Sequence, residues 1–308
     1  MVDTQQLEEL RGRSFALAYR LLGSVTAAED VVQEALLRLH KAEQEGQTIE
    51  SPRAWLATVT TRLGLDELRS ARARRESYVG DWLPEPLLGD PAPGPPEQAE
   101  LADSLSVAFL VVLESLSPEQ RAVFLLHDVF DYPYGEVAEM IGVSEQNARQ
   151  LASRARRHVE SDRPRFETSD EQREVLADRF YAAAQEGDFG ALEELLAGDV
   201  VLQGDGGGKA PALARAISGR VRVLRALRAW FRIASRVGGI EFRRVTLNGQ
   251  PGALAFGPDG KLLNAQILEI ADGRIQAVRS IVNPDKLGHL GPVGDAAALL
   301  REARGASD

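Results

Sequence analysis

The sequence predicts a multidomain chain: two all-α pieces followed by an α+β domain. Three observations carry that reading. The chain has 308 residues, which at roughly 150 residues per domain suggests two domains, or three when some are small. Residues 81–100 (DWLPEPLLGDPAPGPPEQAE) hold six of the fifteen Pro and no Lys or Arg, so they favour extended, polyproline-like geometry over helix. Apolar spacing in the first half is helical, whereas short alternating runs between turn signals appear towards the C-terminus. These features divide the chain into 1–80, a Pro-rich linker 81–100, a helical piece 101–165, an α+β domain 170–292 and a tail 293–308.

The composition narrows the function classes. With 44% hydrophobic and 27% charged residues the chain is globular. The absence of Cys excludes disulfides, a Cys nucleophile and Cys-ligated zinc. Four His make a His-rich metal centre unexpected, so we expect no metal and no cofactor. No run of about 18 apolar residues is present, and the start MVDTQQLEELRGR has no apolar h-region. We therefore expect a cytoplasmic protein with no membrane contact. The formal net charge of −10 argues, at first sight, against nucleic acid.

In the first piece, Phe15, Leu17, Ala18, Leu21 and Leu22 follow helical spacing, and Gly23 stops the helix. Ser24 or Thr26 caps the next helix, with Val31, Val32, Ala35, Leu36 and Leu39 as its apolar stripe. Asp30, Gln33, Glu34 and Arg38 fall largely outside that stripe. Ser51-Pro52 starts a third helix, with Trp55, Leu56, Val59, Leu63, Leu65 and Leu68 inward. It ends in Arg69, Arg72, Arg74 and Arg75, which lack evident local counter-charges. Nucleic-acid phosphates account for such a cluster, and so does a solvated helix end favoured by the macrodipole.

In 101–165, Ser117-Pro118 repeats the helix start, and Val123, Phe124, Leu126 and Val129 are apolar. The stretch YGEVAEMIGVSEQNARQLASRARRHV has the pattern of a helix-turn-helix: Val137, Ala138 and Ile141 inward, Gly142 at the turn, Ser144 capping. Ala148, Leu151, Ala155 and Val159 pack the second helix. Glu145, Gln146, Arg149, Gln150 and Ser153 face out near its N-terminal half, the part that enters a major groove. Gln and Arg offer bidentate geometry to adenine and guanine edges, and Arg154, Arg156 and Arg157 suit phosphates. A plain helical hairpin in a bundle has similar amphipathicity; four Arg against one acid between 142 and 157 favour DNA.

Taken in order, LAYRLLGSVTAAEDVVQEALLRLH, SPRAWLATVTTRLGLDELRSARARRE and the helix-turn-helix stretch resemble an extracytoplasmic-function (ECF) sigma factor of the sigma-70 family. The resemblance implies that 1–80 is region 2 and 101–165 is region 4. It implies docking of Asp30, Gln33, Glu34 and Arg38 on core RNA polymerase. Contacts to the −10 element would come from Arg62, Arg69, Arg72, Arg74 and Arg75. Residues 144–157 would read the −35 element. The family often has Asn-x-x-x-Asp-x-x-Arg in the promoter-reading helix; here Arg62 stands in place of the Asn, with Asp66 and Arg69 retained. Trp55 falls on the apolar face and is assigned to the core rather than to base stacking.

Beyond residue 170, Val175, Leu176, Phe180 and Tyr181 mark an amphipathic helix, and RVRVLRALRAWFRIASR a further helix with outward Arg. Four strand-like runs follow: IEFRRVTLNG, GALAFGP, KLLNAQILEIADG and RIQAVRSIVNP. Asn248-Gly249, Pro258-Asp259-Gly260 and Asp272-Gly273 are the turns between them. Helices first and an antiparallel meander after suggest α+β packing. The pattern resembles the SnoaL-like domain, a cone-shaped α+β barrel of the nuclear-transport-factor-like superfold. Three short motifs sharpen the resemblance to the sigma-factor subgroup with a fused SnoaL-like extension. They are WLPEP (Trp82, Pro84, Glu85, Pro86), DGGGK (Asp205, Gly206, Gly207, Gly208, Lys209) and NPDKL (Asn283, Pro284, Asp285, Lys286, Leu287). In that subgroup they imply contacts of the extension with the sigma core, the extension acting in place of a separate anti-sigma protein. The Gly run is not a phosphate loop, because GxxxxGK[ST] spacing is missing.

No catalytic residue is assigned. The only His of this domain is His289, and Asp199 and Asp205 lie in turn-like contexts without an acid–base partner. An apolar cone still accommodates a small-molecule ligand. The favoured function is a transcription initiation factor regulated by its own C-terminal domain, with core polymerase and promoter DNA as partners. The alternatives are a ligand-responsive helix-turn-helix regulator and a SnoaL-like cyclase or isomerase.

Overall fold

The computed structural model describes residues 4–75, 78–89, 105–162 and 168–305. They form two compact units: 4–75 with 105–162, and 78–89 with 168–305.

The first unit is helical. Helix α1 (Thr4–Leu22) ends at Gly23, whose φ of +64° is open to a residue without Cβ. Helix α2 (Val25–Gln44) is capped by Ser24, whose hydroxyl accepts from Ala27 N at 3.1 Å. Helix α3 (Pro52–Arg75) follows Ser51, which caps Ala54 N at 3.2 Å. The three pack together around Ala35, Leu39 and Leu56, and Trp55 lies against that cluster as a core residue.

Helix α4 (Val107–Glu114) is not evident from periodicity, because it is apolar on nearly all sides and five of its eight residues are buried. Helix α5 (Pro118–Phe124) starts with a reciprocal capping box between Ser117 and Gln120 and continues as a π-helical turn, Leu125–Val129. Helices α6 (Tyr134–Ile141) and α7 (Glu145–Asp162) are joined at Gly142, which takes φ +74°. Region 2 and region 4, expected as separate domains, share one unit: α3 packs on α5 and α6, and α1 on the π turn.

The second unit is α+β. Helices α8 (Asp170–Glu186) and α9 (Phe189–Leu195) lead into β1 (Leu196–Asp205), followed by β2 (Ile217–Ser218) and α10 (Arg220–Val237). Strands β3 (Glu241–Leu247), β4 (Gln250–Phe256), β5 (Leu262–Ala271) and β6 (Arg274–Ile281) form the expected antiparallel meander. The sheet order is β2-β1-β6-β5-β4-β3, with β1 parallel to β6. The sequence pattern misses β1 because a register shift between Leu196 and Val201 interrupts its period-two alternation. Phe180, Leu195, Val223, Leu268 and Val278 are among the buried core.

Three expectations need correction here. Val175 is 53% exposed and lies off the apolar face of α8. The stretch 81–100 is extended over its described part but is not a free linker. Residues 78–89 belong to the α+β unit, with Leu88 bridging Leu247 and Gly89 N donating to Thr246 O at 3.0 Å; residues 90–100 lie outside the described residues. The tail 293–308 carries helix α11 (Ala296–Gly305), and Gly294 N donates to Leu262 O at 2.8 Å, so its described part is integral to the domain. No helix among the described residues is long and apolar enough to cross a membrane.

Candidate nucleic-acid interface and buried clamp

On α7, Glu145, Gln146, Arg149, Gln150, Ser153, Arg154 and Arg157 are exposed. Arg149 pairs with Glu145 at 2.5 Å and lies 4.6 Å over the Tyr134 ring. Arg156 differs from its expected phosphate role. Its guanidinium donates to Asp128 and, at 3.0 Å, to the Tyr134 hydroxyl, tying α7 to the preceding helices. On α2, Asp30, Gln33, Glu34 and Arg38 are all exposed, with Arg38 Nε 2.7 Å from Glu34. Leu37 beside them is 57% exposed, which adds an apolar spot to that polar face.

The α3 arginines are engaged within the unit. Arg62 donates to the carbonyls of Glu139 and Met140, both at 3.1 Å, at the C-terminal end of α6. A cation there meets the negative end of the helix dipole. Arg69 pairs with Asp66 at 3.2 Å and with Glu119 of α5 at 3.0 Å. Contrary to the sequence expectation, Arg69 therefore has a local counter-charge, Asp66 one turn before it, and Glu119 of α5 supplies a second. Arg72, Arg74 and Arg75 lie outside the described side chains.

Two buried arginines were not anticipated. Arg121 is 1% exposed; its Nε donates to Arg20 O at 3.1 Å and its Nη1 to Glu114, while Nη2 has no partner among the described residues. Arg20 is 2% exposed and donates to Ala16 O at 2.9 Å. Burial lowers the Arg121 guanidinium to about 9 and that of Arg20 to about 10. Their signal in the sequence is a lone Arg inside an apolar helical stripe, FALAYRLL and RAVFLL.

The three motifs of the C-terminal half meet at one carboxylate. The carboxylate of Asp205, fully buried at the end of β1, accepts four hydrogen bonds from described residues. To Oδ1 donate the Tyr78 hydroxyl at 2.5 Å and Gly207 N at 3.1 Å; to Oδ2 donate Leu83 N at 2.8 Å and Lys286 Nζ at 2.6 Å. Lys286 also donates to Leu83 O, and its Nζ sits 4.2 Å from the Trp82 ring centroid. Asn283 Nδ2 donates to the Tyr78 hydroxyl at 2.8 Å, and a Cβ on Gly207, at φ +56°, would collide with that carboxamide. His289 Nε2 is 2.7 Å from Pro86 O, and Leu87 and Asn248 exchange two hydrogen bonds.

Pro84, Glu85 and Pro86 are buried beneath this network. The exposed pair of Lys209 and Asp285, at 2.6 Å, adds little by comparison. Residues 78–89 are thus a strap, clamped onto the α+β domain. Tyr78 carries the pH dependence. Burial and then the Asp205 carboxylate push its phenol well above the usual 10. Above pH 10 the unfolded phenol ionises while the clamped one stays protonated, so the folded state holds more protons and loses stability as the pH rises. The strap should therefore loosen above about pH 10, read as a change in Trp82 emission, and Tyr78→Phe should move that loosening to higher pH.

Neither aspartate weighed for acid–base work forms a catalytic pair. Asp199 is exposed, and both oxygens of Asp205 are occupied. Among the described residues no group of three or more His, Asp or Glu is placed to hold a metal ion.

Comparisons with known proteins decide the family. Residues 7–74 match Sigma-70 region 2 and residues 106–159 match Sigma-70, region 4. The ECF RNA polymerase sigma factor SigJ of Mycobacterium tuberculosis is 41% identical over 298 residues, covering 92% of this chain and 93% of that protein. The chain belongs to the ECF sigma factors. The probable ECF RNA polymerase sigma factor SigI of the same species is 33% identical to this sigma factor, over 89% of the chain and 91% of the relative. The crystal structure of Mycobacterium tuberculosis SigJ aligns with a TM-score of 0.74 at 37% identity, covering 95% of this sigma factor and 100% of that chain. The helical sigma regions and the SnoaL-like α+β domain therefore belong to an architecture shared with SigJ. As a sigma factor the chain acts in transcription initiation.

Proposed function

We propose that this sigma factor directs core RNA polymerase to selected promoters and is regulated by its own α+β domain through the strap. The exposed face of α2 (Asp30, Gln33, Glu34, Arg38) docks on the polymerase. Arg62, Arg69 and the basic end of α3 meet the −10 element. Gln146, Arg149 and Gln150 of α7 read bases of the −35 element, while Arg154 and Arg157 hold phosphates. Arg156 positions α7 through Asp128 and Tyr134.

One observation carries the regulatory reading. The segment joining the two sigma regions starts on a strap whose motif residues converge on Asp205 in the α+β domain. Gripping the strap restricts how far the two regions separate, which two-element promoter recognition requires. No separate anti-sigma protein is needed for that restraint. Run-off transcription with core polymerase tests this, comparing the full chain with one ending after residue 165. Both forms should initiate from the same promoters with different yield. Initiation by neither form would sink the promoter role, and equal yield would sink the regulatory one.

A further inference from the structure

Arg149 is the α7 arginine that meets a base edge in the reading proposed for the −35 element. A long side chain on an exposed helix face samples many rotamers, and reading a base uses few of them. The surroundings of Arg149 narrow that choice. Its Cζ lies 4.6 Å from the centroid of the Tyr134 ring. Tyr134 is the first residue of α6 and follows Pro133, whose ring fixes the backbone at φ −65° where the helix begins.

Tyr134 is itself held by two further groups. The His127 ring of the π turn stacks on it, with centroids 3.8 Å apart and planes 30° apart. His127 Nδ1 is 2.8 Å from Tyr132 O. A carbonyl only accepts, so Nδ1 carries the proton and the imidazole is anchored. The Tyr134 hydroxyl accepts from Arg156 Nη2 at 3.0 Å, and the same guanidinium donates to Asp128. The ring under Arg149 is therefore fixed by groups from the π turn and from α7.

Among the described residues the other partner of Arg149 is Glu145, one turn earlier on α7 at 2.5 Å. The two partners act differently. Glu145 and Arg149 are both exposed, so their pairing is weak and screened by salt. It also occupies an N–H that guanine O6 or N7 would accept from. An aromatic ring attracts the charge without taking up any particular N–H. Held by the ring, the guanidinium keeps its donors for the base.

We propose that Tyr134 is a positioning residue for promoter reading: its ring holds Arg149 in the conformation that engages one guanine of the −35 element. The proposal rests on the base-reading role of Arg149. To test it, duplexes with a randomised −35 segment are enriched on the full chain bound to core polymerase. Each guanine of the enriched sequence is then replaced by deazaguanine, which has a carbon in place of N7. At one guanine this should weaken binding of the holoenzyme about tenfold. Arg149→Ala should abolish that penalty. Tyr134→Leu should reduce it to about threefold, and Tyr134→Phe, which keeps the ring, should retain it. A purely structural defect in Tyr134→Leu would weaken binding to both duplexes alike and leave their ratio unchanged. Phenylalanine with increasing ring fluorination at position 134 keeps the shape and drains the ring face of negative charge, so the penalty should fall stepwise. A penalty abolished by Arg149→Ala yet undiminished in Tyr134→Leu, lost in Tyr134→Phe, or indifferent to fluorination would overturn the positioning role and leave base reading intact. The absence of any penalty sensitive to Arg149→Ala would overturn the base reading, and the proposal with it.

Discussion

Replacing Asp205 with Ala is expected to destabilise the α+β domain by about 3–5 kcal/mol, the range for removing one partner of a buried ion pair. The substitution leaves the Lys286 ammonium, 9% exposed, beside a carbonyl and two aromatic rings without its counter-charge. It also strips the Tyr78 hydroxyl and the Leu83 and Gly207 amides of their shared acceptor. Urea unfolding measures the loss, and strap proteolysis localises it. Asp205→Ala combined with Lys286→Met should recover most of the lost stability, because an apolar pair needs no counter-charge. In run-off transcription Asp205→Ala should approach the yield of the chain ending after residue 165. A loss under about 1 kcal/mol, the size of a surface pair, would show that another contact holds the strap.

The second large effect concerns Arg121. Arg121→Ala is expected to cost about 3–5 kcal/mol in the helical unit, since Glu114 loses its buried partner and Arg20 O loses its donor. The packing of region 2 on region 4 weakens with it. Arg62 and Arg69, now bonded to region 4, are then released, and gel shifts of the free protein on promoter duplex should strengthen. The double substitution Arg121→Met with Glu114→Leu should act in the opposite direction. Replacing a buried ion pair by apolar residues of similar volume is neutral or stabilising by about 1–4 kcal/mol. The unit should then stay closed, and initiation with core polymerase should fall. If both variants shift DNA binding the same way, the buried arginine does not control the closure.

Most of the helical fold was legible because its signals are local. Ser24, Ser51, Ser117 and Ser144 cap the helices they precede, and Gly23 and Gly142 turn where the sequence places them. The meander was legible for the same reason: Asn248 and Asp272 take positive φ before glycines. Helix α4 escaped because a segment apolar on all sides has no stripe. Strand β1 escaped because its bulge breaks the alternation. Residues of the clamp were legible as motifs, but not their convergence, since Leu83 and Asp205 are 122 positions apart. Likewise, nothing near Arg62 in sequence points to carbonyls 77 and 78 positions away. The acidic net charge misled for a related reason: the arginines that meet DNA in this reading are a small local set within an acidic chain.

The order in which the chain is synthesised gives the clamp a history. The strap leaves the ribosome 122 residues ahead of Asp205 and 203 residues of separation lie between Leu83 and Lys286. At about 5–20 residues per second this is a delay on the order of 10–40 s. Region 2 and region 4 are complete by residue 162, before either clamp residue has been made. If the clamp restrains the sigma regions as proposed, every newly made molecule passes through an interval in which helices α1 to α7 exist and that restraint does not.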